Sequence, residues 1–359
     1  MLDKINKYKN LKQNDSIEIT IIVPCRNEEK YIGRCLNSII KQDIKVDKLE
    51  ILVIDGMSED NTRKVVKKIC QKYHHMKLLD NPYKIVPTAL NMGIKHAKGN
   101  IIIIMGAHSA YERDYISKCI EYLNKYNVDN VGGISIALPG NERILANSIA
   151  LAVSHPFGVG NAYFRIGSKE PKYVDTVFGG CYKKEVFEKI GLFDEDLVRN
   201  QDDEFNFRLI KNGGKILLVP DIISYYYTRD SIYKLWKMYF QYGYFKPLVA
   251  KKVGGILTWR QIVPSLFISS LILALLLSFF SKIFFWLFLF IFGLYTIVNF
   301  SFSLIISIKK KELKLLPFLI VSFIILHFSY GSGYLKGIWD FIFFNKHLKK
   351  KIKDMPLTR

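Results

Sequence analysis

A run of three acidic residues, Asp202, Asp203 and Glu204, offers the chemistry of a general base. A carboxylate that takes a proton from an attacking hydroxyl accelerates a transfer reaction roughly 10²–10⁴-fold. The run lies near the start of a segment of helical character at 200–209. Neighbouring side chains on a helix point in different directions, so the three carboxylates cannot all serve one site. Helix capping by the acidic cluster is the alternative to catalysis.

Polar and glycine residues also follow three apolar runs in the first part of the chain. Carboxylates accept hydrogen bonds from nucleobases, and imidazole can bind a metal or a phosphate. The three groups are Pro24-Cys25-Arg26-Asn27-Glu28, Asp55-Gly56-Met57-Ser58 and Gly106-Ala107-His108.

The surrounding pattern predicts a scaffold that brings these groups together. Apolar runs at 19–23, 49–54, 77–79 and 101–105 alternate with segments of helical periodicity at 28–42, 60–72 and 86–98. Continuous apolar strands separated by helices indicate a parallel sheet buried on both faces. Ligands of such sheets bind beyond the carboxyl ends of the strands. We therefore expect an α/β domain with a mostly parallel sheet at 18–230, preceded by a polar extension at 1–17.

Five stretches, in this order, resemble motifs of the family 2, GT-A-type glycosyltransferases. Each is a weak signal alone, but their order makes the resemblance strong, and the details are most similar to the succinoglycan-biosynthesis (ExoA-type) subgroup. The resemblance implies a GT-A-like (Rossmann-like) sheet and inverting sugar transfer from a nucleotide-sugar, a UDP-sugar by expectation. The stretches are I-I-V-P-C-R-N-E-E-K-Y-I (21–32), V-I-D-G-M-S-E-D-N-T (53–62), A-L-N-M-G-I-K-H-A-K-G (89–99), F-G-G-C-Y-K-K-E-V-F-E-K-I-G-L-F-D-E (178–195) and N-Q-D-D-E-F-N-F-R-L (200–209).

The resemblance also assigns roles to the residues at matching positions. Asp202 matches the family's catalytic base, and Asp55 matches the residue that binds the donor's base. Glu28 could help to hold the nucleoside, or it could only compensate the dipole of the helix that follows it. Asp55 could likewise be only a turn-forming residue before Gly56. The acceptor-side residues are Gly179, Gly180, Gln201 and Asp203. The donor-side residues are Pro24, Asn27, Glu28, Asp55, Asn91, Gly106, Ala107 and His108.

The metal-binding motif departs from the family pattern. Where the family has Asp-x-Asp after the fourth strand, this chain has Gly106-Ala107-His108. Hard cations such as Mg²⁺ prefer oxygen ligands, and one imidazole is a poor substitute for two carboxylates. We therefore expect a divalent cation, Mn²⁺ or Mg²⁺, to be held weakly, with His108 contributing one nitrogen. The alternative is that basic side chains serve the phosphates instead.

The net charge of +20 has two explanations, nucleic acid or an anionic membrane. Lysines cluster at 309–314 and 346–353, beside apolar stretches, which favours a membrane and no nucleic-acid partner. The five cysteines are scattered without a C-x-x-C pair, as in a reducing compartment. The N-terminus has no apolar signal region, so the catalytic domain is expected to be cytoplasmic.

Three apolar stretches, at 262–280, 283–308 and 315–330, predict a multi-pass anchor within 261–345 in the cell (inner) membrane. The third stretch is long enough to span the membrane only if it continues through Gly331-Ser332-Gly333. Otherwise the chain turns back at these residues as a re-entrant segment. Residues 231–260 are rich in aromatics and lysine, which predicts an amphipathic segment lying in the interface or packing on the catalytic domain. A basic tail follows at 346–359.

These features predict transfer of one sugar to a polyprenyl-linked saccharide in exopolysaccharide or capsule synthesis. No Q-x-x-R-W, a mark of processive synthases in this family, follows Asp202. Two alternatives stay open: transfer to a polyprenyl phosphate itself, and a catalytically inactive membrane scaffold of the same fold.

Overall fold

The computed structural model describes residues 17–255 and 258–345. The predicted basic tail and all but the last residue of the N-terminal extension lie outside them. The first part confirms the predicted alternation of strands and helices. Its elements are β1 (Ile19–Cys25), α1 (Ile32–Ile40), β2 (Leu49–Asp55), α2 (Thr62–Cys70), β3 (Met76–Asp80), α3 (Val86–His96) and β4 (Ile101–Ile104).

The rest of the catalytic domain is less regular. It comprises β5 (Ser109–Tyr111), α4 (Tyr115–Lys125), β6 (Asn130–Leu138), α5 (Ile144–Ala152), α6 (Pro156–Val159), α7 (Tyr163–Ile166), β7 (Lys172–Tyr173), β8 (Cys181–Lys183), α8 (Glu185–Ile190), α9 (Gln201–Lys211) and β9 (Ile216–Tyr227).

The strands described form one sheet in the order β3-β2-β1-β4-β8-β6-β9-β5, with β7 also pairing with β9. The first four are parallel, as predicted. Beyond β4 the sheet is mixed, because β8 runs antiparallel to both β4 and β6 and β9 pairs antiparallel with β5 and β7. The architecture is therefore a mixed α/β sheet domain followed by long apolar helices.

The apolar strands are buried on both faces because helices cover both sides of the sheet. On one face Ile21 of β1 packs with Leu36 of α1, and on the other Ile22 packs with Leu90 of α3. Successive strand residues point to opposite faces, so an uninterrupted apolar run supplies both layers. The polar strand ends are left at one edge, where β1, β2 and β4 finish together.

The C-terminal part is helical throughout its described residues. Its helices are α10 (Ile232–Val253), α11 (Val263–Leu277), α12 (Lys282–Lys309) and α13 (Leu316–Gly337), the last continued by a π-helical segment (Ile338–Phe343). Two segments, Lys282–Lys309 and Leu313–Phe343, are long and apolar enough to cross a membrane. The first predicted span corresponds to α11, which at 15 residues falls short of the ~20 needed. The expectation of three spans is therefore reduced to two candidates.

The alternative of a re-entrant turn at Gly331-Ser332-Gly333 does not fit the structure, because α13 runs through these residues without a break. The glycines serve close helix packing instead. A Cβ on Gly333 would lie 2.2 Å from the carbonyl oxygen of Phe240 in α10, and one on Gly243 would lie 2.0 Å from that of Tyr330 in α13. The two backbones therefore approach more closely than any larger residue would allow.

The aromatic segment after β9 packs on the protein rather than standing apart from it. Helix α10 buries Leu235, Phe245 and Leu248, and leaves Tyr233 and Trp236 exposed near its start. Residues of α5 join the same arrangement, since Ile149 packs in one cluster with residues of α10 and α13. Sequence patterning placed 144–166 wholly in the catalytic domain and missed this contact with the apolar helices.

The close approach of α10 and α13 can be tested with two alanine substitutions at helical glycines. Gly243→Ala forces the backbones apart, and overpacking of this kind costs about 1–3 kcal/mol. Gly293→Ala in α12 has no atom within 4 Å of the new methyl group and replaces a poor helix former. In thermal melts of the full-length protein in detergent, we expect Gly243→Ala to lower the Tm by several degrees. Gly293→Ala should leave it equal or higher, and equal melting of both variants would contradict this packing.

Candidate active site

A cavity of about 810 Å³ opens at the carboxyl edge of the sheet. Its walls include Pro24, Glu28 and Gly106 from the ends of β1 and β4, and Gln201 and Asp202 from the start of α9. The volume lies in the range usual for small-molecule sites. The structure thus brings most of the residues predicted from the strand ends and the acidic motif into one site.

The loops after β1 and β2 are joined by hydrogen bonds that hold this edge. The amide of Asn27 donates to Ser58 Oγ (2.9 Å), and the amide of Glu28 donates to Thr62 Oγ1 (2.7 Å). Asn27 Oδ1 in turn accepts from the amide of Glu59 (2.9 Å). Asn27 adopts a left-handed conformation, with φ of 53°, which asparagine tolerates better than most residues. Its role here is to shape the loop.

Asp55 is fully buried, and its carboxylate is already engaged. It accepts from the Ser58 amide (3.0 Å) and hydroxyl (2.5 Å), and Arg63 Nη1 lies 2.6 Å away. Its neighbours Gly56 and Asn81, rather than Asp55 itself, line the cavity. Asp55 therefore supports the wall next to the expected nucleobase position, and its direct contact with the base stays a prediction.

Asn91 lies outside the cavity lining, and its direct contact with the donor stays a prediction. Its side-chain amide donates to the carbonyl of Phe193 and to Glu195 Oε1, both at 2.9 Å, and its oxygen accepts from the amide of Phe193 (2.9 Å). Asn91 thus links α3 to the segment before α9 and helps to hold that segment in place.

The two predicted acceptor-side glycines form a tight turn against the end of β4. Gly179 has φ of 71° and Gly180 has φ of 112°, a region where side chains are strained. A Cβ on Gly179 would also lie 2.3 Å from the carbonyl oxygen of Ile104. Both glycines are therefore required for the turn. Gly179 also lines the cavity, whereas Gly180 does not.

His108 lies at the cavity wall, where its Nδ1 is 3.3 Å from Glu28 Oε1. These are two potential metal ligands, and Gly106 and Ala107 add no side-chain ligand. Across 17–255 and 258–345, no three His, Cys, Asp or Glu side chains come together as candidate ligands for a metal ion. The residues at the end of β4 therefore do not fit a tightly held divalent cation.

The structure separates the three acids at the start of α9. Asp203 pairs with Lys246 of α10 at 2.5 Å. Glu204 is buried and receives two hydrogen bonds from Arg208, at 2.6 and 2.9 Å. Among the described residues, no ion pair reaches Asp202, and its side chain faces the cavity. Of the three carboxylates, Asp202 is thus the one placed to take a proton from a bound substrate.

The surroundings of Asp202 suit a base that works near neutral pH. Asp202 is exposed at the cavity wall. Desolvation of its carboxylate by the surrounding protein, together with the negative charge of Asp203, raises the pKa of Asp202 to about 6, while Lys246 acts in the opposite direction. A base is most effective when its pKa lies near the working pH.

Sequence reasoning missed the basic side chains of the cavity. Three acidic residues, Glu28, Asp202 and Asp203, line it together with seven basic ones. Arginines outside a recognised motif carry no sequence signal, and only the fold collects them. The basic residues are Arg26, Lys84, Arg165, Arg199, Arg229, Lys246 and Arg260.

Comparison with known proteins shows the family of the chain. Residues 20–191 match the profile of Glycosyl transferase family 2. A protein of Methanococcus voltae named dolichyl N-acetyl-alpha-D-glucosaminyl phosphate 3-beta-D-2,3-diacetamido-2,3-dideoxy-beta-D-glucuronosyltransferase is 36% identical over 249 residues, which cover 67% of this chain and 76% of that protein. The chain belongs to glycosyltransferase family 2. It is a nucleotide-sugar-dependent glycosyltransferase.

Two further matches extend over more of the chain. The succinoglycan biosynthesis protein ExoA of Rhizobium meliloti is 22% identical over 323 residues, covering 89% of this chain and 95% of that protein. The structure of a mannosyltransferase from Pyrobaculum calidifontis, solved with GDP-Man and Mn²⁺, aligns with a TM-score of 0.57 and 18% identity over 90% of this chain and 87% of that one. The latter likeness establishes the GT-A-like fold.

The raised pKa of Asp202 predicts the pH dependence of transfer. A base must be deprotonated, so kcat/KM should be level above pH 7 and fall about tenfold per unit well below pH 6. Asp203→Asn removes the charge that raises the pKa and should move the acid limb to lower pH. Lys246→Met removes the opposing charge and should move it to higher pH. An acid limb that stays in place in both variants would show that another group controls it.

Proposed function

We propose that this glycosyltransferase moves a single sugar from a UDP-sugar to a saccharide carried on a polyprenyl phosphate or diphosphate. The observation that carries the proposal is the course of the cavity. One end lies at Pro24, Glu28 and Gly106, and the other lies between the C-terminal helices, at Phe267 of α11 and Tyr330 of α13. A lipid-linked acceptor can therefore reach the base from the apolar side while the donor occupies the sheet edge.

The apolar end of the cavity suits a lipid chain. Val263, Phe267 and Leu326 contribute to its walls there, while Trp286 and Phe290 of α12 stay exposed on the outer surface. Exposed apolar surface of this extent is typical of membrane contact. We accordingly place the protein in the cell (inner) membrane, with α12 and α13 as spans and the catalytic domain in the cytoplasm.

The names of the relatives support the same acceptor class. The Methanococcus voltae enzyme is named for transfer to a dolichyl-phosphate-linked sugar. ExoA is named for succinoglycan biosynthesis. Together they favour a lipid-linked saccharide within exopolysaccharide or capsule synthesis as the acceptor.

The geometry supports a single in-line displacement. Asp202 accepts the proton of the acceptor hydroxyl as the hydroxyl oxygen attacks the anomeric carbon of the sugar. The bond from that carbon to the nucleoside diphosphate breaks, and its electron pair leaves with the diphosphate. One displacement inverts the configuration at the anomeric carbon. Asp203 and Glu204, held by Lys246 and Arg208, keep α9 in place during this step.

Two other functions are compatible with the same fold. In one the acceptor is a polyprenyl phosphate without a sugar, since the apolar end of the cavity would accommodate its chain equally well. In the other the protein is an inactive scaffold. The second is disfavoured, because a scaffold has no need of a cavity-facing Asp202 whose pKa is about 6.

A transfer assay on the full-length protein in detergent micelles tests the proposal. Radiolabelled nucleotide-sugars are offered with polyprenyl-diphosphate-linked GlcNAc, polyprenyl-phosphate-linked GlcNAc, or polyprenyl phosphate. We expect label to enter one of the sugar-bearing lipids. Incorporation into polyprenyl phosphate alone would establish the first alternative, and no incorporation into lipid from any donor would support the scaffold.

Substitution of the acids identifies the base in the same assay. Asp202→Asn should keep nucleotide binding but reduce transfer by at least about two orders of magnitude. Asp203→Asn is the comparison, and above pH 7 it should lose less transfer than Asp202→Asn, because it breaks the pair with Lys246 but leaves the proposed base in place. The reverse result, with Asp203→Asn inactive and Asp202→Asn active, would move the catalytic role by one residue.

A further inference from the structure

The end of β4 presents a problem of charge. When the sugar leaves, a nucleoside diphosphate gains negative charge, and metal ions commonly neutralise it in phosphate chemistry. Gly106 and Ala107 offer no ligand there, and His108 is placed against Glu28. Another positive group must therefore face the diphosphate.

Arg165 lies near the turn after β4 and lines the same cavity. Its guanidinium stacks over the ring of Tyr226, with 4.1 Å between the guanidinium carbon and the ring centroid, and lies 5.7 Å from the centroid of Phe178. Tyr226 in turn packs edge-on against the His108 ring at 5.0 Å. A Cβ on Gly106 would be 3.5 Å from Phe178. Arg165 is thus one ring away from both ends of the Gly106-Ala107-His108 turn.

The guanidinium of Arg165 is fixed by stacking but has an N–H donor without a hydrogen-bond partner. No acidic side chain among the described residues forms an ion pair with Arg165, in contrast to Arg260, which pairs with Asp175. The Nη1 atom of Arg165 is buried and has no hydrogen-bond partner. A buried, unpaired donor is costly unless a ligand completes it. Stacking on Tyr226 keeps the group in place by a cation–π interaction.

We propose that Arg165 takes the place of the divalent cation, so that this enzyme binds its donor and transfers its sugar without a metal. Arginine presents several N–H donors in a planar fork that matches phosphate oxygens. As the bond between the anomeric carbon and the diphosphate breaks, these donors stabilise the charge that develops on the leaving oxygen. The proton of the acceptor goes to Asp202, and no other reactant is needed.

The test measures nucleotide binding and leaves the acceptor out, although the inference rests on the donor class of the proposed function. Full-length protein is titrated by calorimetry with UDP, and with GDP as a second base, in excess EDTA and again with Mn²⁺. The nucleotide that binds more tightly is then compared with its nucleoside. We expect the affinity for the diphosphate to be the same within about twofold in EDTA and in Mn²⁺.

Variants of Arg165 supply the second arm. Arg165→Ala should weaken diphosphate binding about tenfold to a hundredfold, the size expected for lost charge-assisted hydrogen bonds, and should leave nucleoside binding unchanged. Arg165→Lys should lose less, because one ammonium keeps the charge but not the fork. Arg143→Ala is the control, since Arg143 is exposed and lies outside the cavity.

Two results would overturn the proposal. One is diphosphate binding by the wild-type protein that disappears in EDTA and returns with Mn²⁺, a measurement that needs no variant. The other is Arg165→Lys and Arg165→Ala proteins that melt like the wild type and bind the diphosphate equally well. In that case an effect confined to the KM of the lipid acceptor would assign Arg165 to the acceptor phosphate. Failure of the transfer assay itself would bear on the acceptor and not on this inference.

Discussion

The ion pair between Asp203 and Lys246 is the contact on which the site depends. It joins the first turn of α9, which carries the proposed base, to the middle of α10, which packs on the apolar helices. Both partners are largely withdrawn from solvent, so removal of either would leave an unpaired charge in a poorly hydrated place. The neighbouring hydrogen bond from Asn200 Nδ2 to the carbonyl of Tyr242 (2.8 Å) fixes the same junction. Because of these contacts the apolar helices and α9 form one unit, and Asp202 is the acid of this run that lines the cavity without an ion pair.

The sequence was sufficient for the first four strands and their helices, because β1, β2 and β4 are buried on both faces and each helix has a clear apolar side. It also located the carboxyl ends of the strands, and with them Pro24, Glu28 and His108 in the cavity wall. It could not separate residues that touch a ligand from residues that hold the wall in place. Asp55 and Asn91 match family positions, yet the polar atoms of both side chains form hydrogen bonds to other parts of the protein. Such partners are distant in sequence, as Asn91 and Phe193 are, so no local pattern reveals them.

The apolar helices show a related limit. Composition gave the long hydrophobic stretches, but it could not tell a glycine that breaks a helix from a glycine at a helix crossing. Gly333 and Gly337 lie one turn apart on α13. A Cβ on Gly333 would meet the carbonyl oxygen of Phe240 on α10, and a Cβ on Gly337 would meet that of Tyr244. These glycines therefore act in pairs across an interface that depends on α10, a helix expected to lie in the membrane interface or to pack on the catalytic domain. In its middle and end most of its side chains are buried, and Phe245 there packs in one cluster with Leu197 of the sheet domain and Phe341 near the end of the apolar helices.

The distribution of charge connects these observations. The net charge of +20 was explained by lysines near the apolar stretches, a distribution that says nothing about the cavity. The fold gathers part of that charge into the site, where seven basic residues line the cavity with three acids. Lys246 and Arg260 are already paired with carboxylates, so they shape the walls more than they attract a ligand. Arg165 differs because its charge is stacked on an aromatic ring and not neutralised by an acid. The turn Gly106-Ala107-His108 brings no carboxylate to the site, so the unpaired guanidinium of Arg165 beside it can attract a diphosphate without a metal ion.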